Sequence, residues 1–173
     1  CQKCTFASIC FKKYSFIQNM LSILIPVYNF DVSDLVQNLN QQAEDLQQPV
    51  EIILVDDGRT DQSSTIIEKW ISEHSELKTI SISQINKGLG GARNSGISSS
   101  KGNWLAFLDA DDTWMKDKLK TIANVISANN ADLFYHSAKT IGLKKNRQRK
   151  VFPVKAVDDI LLKGNPIIPS ACI

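Results

Sequence analysis

Three continuous apolar runs constrain this chain more than any other feature, because each closes on a polar or acidic tail. LSILIPV (21–27) leads into Tyr28-Asn29, VEIILV (50–55) into Asp56-Asp57-Gly58, and WLAFL (104–108) into Asp109-Ala110-Asp111-Asp112. Runs of this length, rich in β-branched residues, are the pattern of strands buried on both faces. Between the first two lies a polar-apolar segment, Asp31 to Leu46, with Leu35, Val36 and Leu39 at helical spacing, before Pro49 interrupts the chain. Asp61 is placed to cap a helix running through Trp70. Leu77 to Ile85 alternates as a strand does, and NKGLGGARNSG (86–96) reads as a glycine-rich loop running into a short helix. Lys116 to Asn129 is expected to be helical and ADLFYHS (131–137) a fifth strand. The basic stretch LKKNRQRK, flanked by KTIG and VFPV, is expected to turn a hairpin, and Val157 to Leu162 to form a short helix.

Strands alternating with helices in this way define an α/β chain: a mostly parallel sheet flanked by helices on both faces. Such sheets bind ligands at the carboxyl ends of their strands. The chemistry-bearing residues therefore converge on one edge. Residues 1–20 show no clean period and read as an N-terminal extension, leaving 21–173 as a single domain. That length suffices for a hydrophobic core.

The totals exclude several classes. With 43% hydrophobic and 22% charged residues the composition is that of an ordinary globular protein. A net charge of +2 argues against a dedicated nucleic-acid binder. No apolar run reaches the roughly 18–20 residues of a membrane span, and lysines interrupt the apolar residues of the first twenty positions. The expected location is the cytoplasm or the cytoplasmic face of a membrane. Cys1 and Cys4 invite a zinc reading, but only Cys10 lies near them, and His74 and His136 are far along the chain. A structural zinc site needs four ligands in paired spacings, so reduced thiols are expected.

NWLAFLDADDTW (103–114) poses the sharpest question. Asp109, Asp111 and Asp112 lie within four residues, and like charges this close oppose joint ionisation. A divalent cation, bulk water around a helix-capping loop, or a nucleophilic Asp would each account for them. Asp57, likewise, is either turn chemistry in an Asp-Gly pair or a ligand residue at a strand end. The run Gly88-x-Gly90-Gly91 has neither the Gly-Lys-Ser/Thr ending of a phosphate loop nor dinucleotide-fingerprint spacing. Lys144 to Lys150 holds five positive charges in seven residues. It reads as a solvated hairpin tip, with peripheral contact to an anionic membrane surface or acidic polysaccharide as the alternative. His136, Trp104 and Phe107 are expected to pack internally, and Trp114 to wall a pocket.

SILIPVYN, EIILVDDGRTD, NKGLGGARNSG and WLAFLDADD, in this order, resemble the family-2 glycosyltransferases, inverting enzymes with the A-type, Rossmann-like nucleotide-diphospho-sugar transferase fold. The resemblance spans about residues 21–115 and, more loosely, the rest. It implies an NDP-sugar donor, in particular a UDP-sugar, and transfer to a hydroxyl of a glycan, polysaccharide or lipid-linked acceptor. It further implies that Pro26, Tyr28 and Asn29 floor the nucleotide base, that Asp57 reads the base, and that Arg93 lies beside base, ribose or phosphates. Asp109 and Asp111 match the family's Asp-x-Asp motif, one acid contacting the ribose, with Asp111 or Asp112 holding Mn²⁺ or Mg²⁺ against the diphosphate. Hard cations of this kind take carboxylate and phosphate oxygens together.

The pattern departs from the family at Arg59, where the Asp-Asp-Gly turn is usually followed by serine. The resemblance also implies that the general base and most of the acceptor pocket lie beyond Ile173, since Asp158 and Asp159 come too early. Two other readings fit the same residues. FLDADDT also fits the Asp-x-Asp-x-Thr motif of haloacid-dehalogenase-type phosphatases, with Asp109 as nucleophile and Asp111 as acid/base. The chain would otherwise be a non-catalytic nucleotide-sugar-binding fragment.

Overall fold

A computed structural model describes residues 20–44, 46, 48–58, 68, 71–72, 77–128, 132–140 and 147–149. Four strands form one parallel sheet: β1 (Leu21–Val27), β2 (Val50–Asp57), β3 (Lys78–Gln84) and β4 (Trp104–Phe107), in the order β3-β2-β1-β4. Every residue of β1, β2 and β4 is buried, as expected of strands covered on both faces. β3 and β4 are the two outer strands of this sheet, and β3 exposes Lys78, Ser81 and Ser83 while half-burying its other residues.

The helices are α1 (Ser33–Ala43), α2 (Gly88–Ser99) and α3 (Lys118–Ala128). Val36 and Leu39 of α1 join Leu119, Ile122 and Ile126 of α3 and the side chains Ile23, Ile25, Ile52 and Leu54 in one core layer. On the other face α2 brings Ala92 against Ile53 and Val55, and Ile97 against Leu24 and Phe107. Chain direction explains the two layers. The path steps one way from β1 to β3 and then doubles back across the sheet to β4, and right-handed crossovers of opposite sense put their helices on opposite faces. The reversal falls between β1 and β4, the position where open α/β sheets form a crevice.

The glycine-rich segment differs from its expected form. Gly88, Gly90 and Gly91 are not loop but the first turn of α2. Glycine disfavours helix by about 1 kcal/mol per residue, yet α2 opens on these three and packs on the sheet further along, through Ala92 and Gly96. A Cβ on Gly96 would stand 2.4 Å from Leu24 Cδ1, so a small residue is what lets α2 lie flat on β1.

The fifth strand also lies elsewhere. Of residues 132–137 only Tyr135 forms an isolated bridge, while β5 (Ala138–Thr140) pairs antiparallel with β6 (Arg147–Arg149) as a separate two-stranded sheet. The expected hairpin is therefore present, and Arg147 and Arg149 belong to its strand. Glu68, Ile71 and Ser72 are helical, while the cap proposed at Asp61 lies outside the described residues. Also outside them are Arg59, the four cysteines, Lys144, Lys145, Lys150, Asp158, Asp159 and the helix expected at 157–162.

The amino end of the sheet is tied by a buried carboxylate. Glu51 is fully buried, and its Oε1 accepts from Ser22 Oγ at 2.7 Å and from the Lys101 amide at 2.6 Å. The Gly102 amide donates to Ser22 Oγ at 2.9 Å, and the Lys78 ammonium lies 3.3 Å from Oε2. One side chain thus links β1, β2, β3 and the entry to β4. Burial alone raises the Glu51 pKa, but the hydrogen bonds from Ser22 and Lys101 and the nearby Lys78 together outweigh it and hold the carboxyl below its ordinary range.

Candidate functional site

The carboxyl ends of the strands bring most of the chemistry-bearing residues to one rim. β1 ends at Val27, after Pro26, and passes to Tyr28, which is 53% exposed. Asn29 follows with φ 48°, a left-handed conformation that Asn tolerates better than most residues. β2 ends at Asp57, and Gly58 turns the chain with φ 78°. A Cβ there would lie 2.6 Å from the Asn86 amide nitrogen, so strain and space both require glycine.

Asp57 is 4% exposed. Parallel register places it beside Gln84, the last residue of β3, whose Nε2 donates to Asp57 Oδ1 at 2.6 Å. The Lys87 amide at the start of α2 donates to the same oxygen at 2.8 Å. The next amide, Gly88, donates to Asn86 Oδ1 at 3.0 Å. Side chains from the end of β2 and the loop before α2 thereby accept two amides at the helix start, where negative charge is also favoured. Asp57 is more than turn chemistry: it joins β2, β3 and α2 in one knot.

Beyond β4 the acids part company. Asp109 Oδ1 accepts from Arg93 Nη2 of α2 at 2.7 Å, with side-chain exposures of 27% and 17%. The Arg93 guanidinium lies 6.0 Å from the Phe107 ring centroid, and its Nε is buried without a hydrogen-bond partner among the described residues. Arg93 thus stands beside the loop after β4, with its charge directed at Asp109. Asp112 donates its amide to the Asp109 carbonyl at 3.0 Å, closing a turn that leaves Asp111 and Asp112 exposed. Among the described residues no three His, Cys, Asp or Glu side chains form a ready metal cage. The exposed carboxylates of Asp111 and Asp112 are hard oxygen donors on a tight turn. They fit a cation that takes its remaining ligands from phosphate and water, as Mg²⁺ commonly does.

Trp114 is corrected. It is 6% exposed and belongs to the main core cluster instead of walling a pocket. The Lys118 ammonium covers its ring at 5.5 Å and also donates to His136 Nε2. His136 Nδ1–H donates to the Ser137 carbonyl at 2.8 Å, which fixes the tautomer. Burial lowers the His136 pKa and the Lys118 charge lowers it further, against the opposing Ser137 bond. Trp104 and Phe107 are core, as expected, at 7% and 4%.

Sequence reasoning missed Gln84 and Ser95. Ser95 Oγ donates to Gln84 Oε1 at 2.5 Å, so Gln84 bridges α2 to Asp57. The one signal was that a polar residue closes the third strand opposite Asp57. The exposed large hydrophobic residues, Tyr28, Phe30, Ile85, Leu89 and Met115, also follow the carboxyl ends of β1, β3 and β4.

A parallel α/β domain with an acid-lined switch-point edge is a nucleotide-binding architecture. The family model for glycosyl transferase family 2 matches residues 22–169, and the chain belongs to that family. A Haemophilus influenzae protein described as an uncharacterized glycosyltransferase is 33% identical over 150 residues, 84% of this chain and 58% of its own. Glycosyltransferase GlyG of Streptococcus pneumoniae is 30% identical over 118 residues, 68% of this chain and 38% of its own. Among solved structures, S. aureus TarS 1–349 in complex with UDP-GlcNAc superposes with TM-score 0.62 at 26% identity, over 73% of this chain and 37% of that one. The chain thus spans roughly four to six tenths of each relative's length. The phosphatase reading of Asp109 falls with this assignment. Its motif closes the first strand of its own fold, whereas here it follows the fourth.

Proposed function

We propose that this chain carries the donor half of an inverting, metal-dependent glycosyltransferase that takes a UDP-sugar and delivers the sugar to a hydroxyl of a glycan, polysaccharide or lipid-linked acceptor. The observation that carries the reading is the shared rim: Asp57, the Arg93–Asp109 pair and the Asp111–Asp112 turn stand on one sheet edge of a family-2 glycosyltransferase. The UDP-GlcNAc complex of TarS supports a UDP-sugar as the donor.

In this reading Pro26, Tyr28 and Asn29 floor the base. Both bonds to Asp57 fall on Oδ1, and among the described residues none falls on Oδ2, which accepts an N–H from the base edge. Arg93 acts through Asp109, orienting that carboxylate toward the ribose. Asp111 and Asp112 hold Mn²⁺ or Mg²⁺ against the diphosphate. When bound, the cation offsets the repulsion between phosphate and acids and stabilises charge on the departing diphosphate. No described residue is assigned the general base that the acceptor hydroxyl requires.

Isothermal titration of UDP with and without Mn²⁺ tests the reading. UDP is expected to bind more tightly with Mn²⁺, and Asp111→Ala or Asp112→Ala to abolish that gain. Failure of UDP to bind at all sinks the donor assignment. Binding indifferent to Mn²⁺ and to both substitutions sinks the metal assignment alone. Release of free sugar from a UDP-sugar distinguishes a catalyst from a non-catalytic binding fragment.

A further inference from the structure

Gln84 is half-buried at the end of the edge strand, and nothing in strand packing requires an amide there. Its two ends are nevertheless both committed: Oε1 accepts from Ser95 Oγ, and Nε2 donates to Asp57 Oδ1. The arrangement runs one way. A flipped amide would set two acceptor oxygens, Gln84 Oε1 and Asp57 Oδ1, against each other at about hydrogen-bond distance, which is repulsive. The nitrogen must therefore face Asp57. With the Lys87 amide as a second donor, Oδ1 is held from two directions. The carboxylate has lost its torsional freedom, and Oδ2 is presented on a fixed bearing.

We infer that Gln84, oriented by Ser95, is a positioning residue that turns Asp57 into a selective acceptor for a nucleobase whose pairing edge carries a ring N–H. This rests on the donor-site reading above and deepens it. Uracil offers N3–H to such an acceptor. Cytosine presents a lone pair at the same ring position, and a fixed carboxylate oxygen repels it. A carboxylate free to rotate would swing away and lose the discrimination, because specificity comes from leaving the wrong partner's polar groups unpaired or opposed. Guanine also carries N–H donors on its pairing edge, so selection between uracil and guanine falls to ring size.

Titration of UDP, CDP and GDP in the presence of Mn²⁺ provides the test, with the full chain as wild type, Asp57→Asn, Gln84→Met, Gln84→Glu and Ser95→Ala. Wild type is expected to prefer UDP over CDP. Gln84→Met, of similar length but without either hydrogen bond, is expected to weaken UDP by about tenfold, the worth of one charge-assisted bond, while CDP changes little. The selectivity ratio then collapses by the same factor. Ser95→Ala is expected to shift the ratio in the same direction by less, and it leaves the strand untouched should Gln84→Met fold poorly. Gln84→Glu puts two carboxyls together, so its UDP affinity is expected to recover as pH falls and a shared proton restores the donor.

A structural role alone predicts equal losses for UDP and CDP. If Gln84→Met and Ser95→Ala both keep the wild-type ratio, the inference is overturned while the donor site stands. If wild type binds no nucleotide, or Asp57→Asn leaves UDP binding unchanged, the donor reading itself has failed.

Discussion

Arg93 ties α2 to the loop after β4. Its guanidinium donates to Asp109 and lies near the face of Phe107, and a planar fork does both better than an ammonium. Replacing it with methionine removes a charge-assisted bond at a site that is mostly shielded from solvent. Arg93→Met is expected to lower the stability by about 1–2 kcal/mol in urea denaturation, the upper end being limited by the partial exposure of both partners. Arg93→Lys keeps the charge and is expected to recover about half of that loss. A stability unchanged by Arg93→Met would show that the pair is not formed in solution.

Glu51 works at the scale of the element, joining strands at the end of the sheet opposite the site. Its folded pKa lies below its ordinary value, near 4.5. The contribution of its ionised form is therefore fully present above the unfolded value and is lost as pH falls through the lowered folded value. Wild-type stability is expected to decline below about pH 4.5, and Glu51→Gln to flatten that decline, as measured by urea midpoints across pH. Glu51→Ala leaves the Lys101 amide and the Ser22 hydroxyl without their acceptor, and is expected to cost about 3 kcal/mol at neutral pH. A pH profile identical in wild type and Glu51→Gln would remove Glu51 from the account.

For the whole molecule, the sheet has a protected centre and an open edge. β1 and β2 are buried along their full length, whereas β3 exposes three of its seven residues. Amide hydrogen exchange is expected to be slowest in β1 and β2, and to rise by about tenfold or more in β3, since local opening is easiest where fewest apolar contacts must be broken. Saturating UDP should slow exchange at Lys87 and Gly88, because the carboxylate and Asn86 side chain that accept their amides lie at the proposed donor site. Uniform protection across β1, β2 and β3 would contradict this division into centre and edge.

The sequence alone determined where the buried strands run, which edge carries the acids and which family these belong to. Apolar periodicity and strand-end residues are local properties, and order along the chain reports topology. The same locality explains where sequence and structure part: propensity favours loop for the glycines at 88–91, which open α2, and closeness in sequence sets Trp114 beside the acids, whereas it packs in the core. Only the tertiary structure decided that Arg93 turns to Asp109, 16 residues away, that Gln84 clamps Asp57 across 27, and that Glu51 receives the Lys101 amide across 50. A hydrogen bond between distant residues has no periodicity to reveal it. It exists because parallel register and helix packing bring a donor and an acceptor within 3 Å, and that distance is set by the fold as a whole.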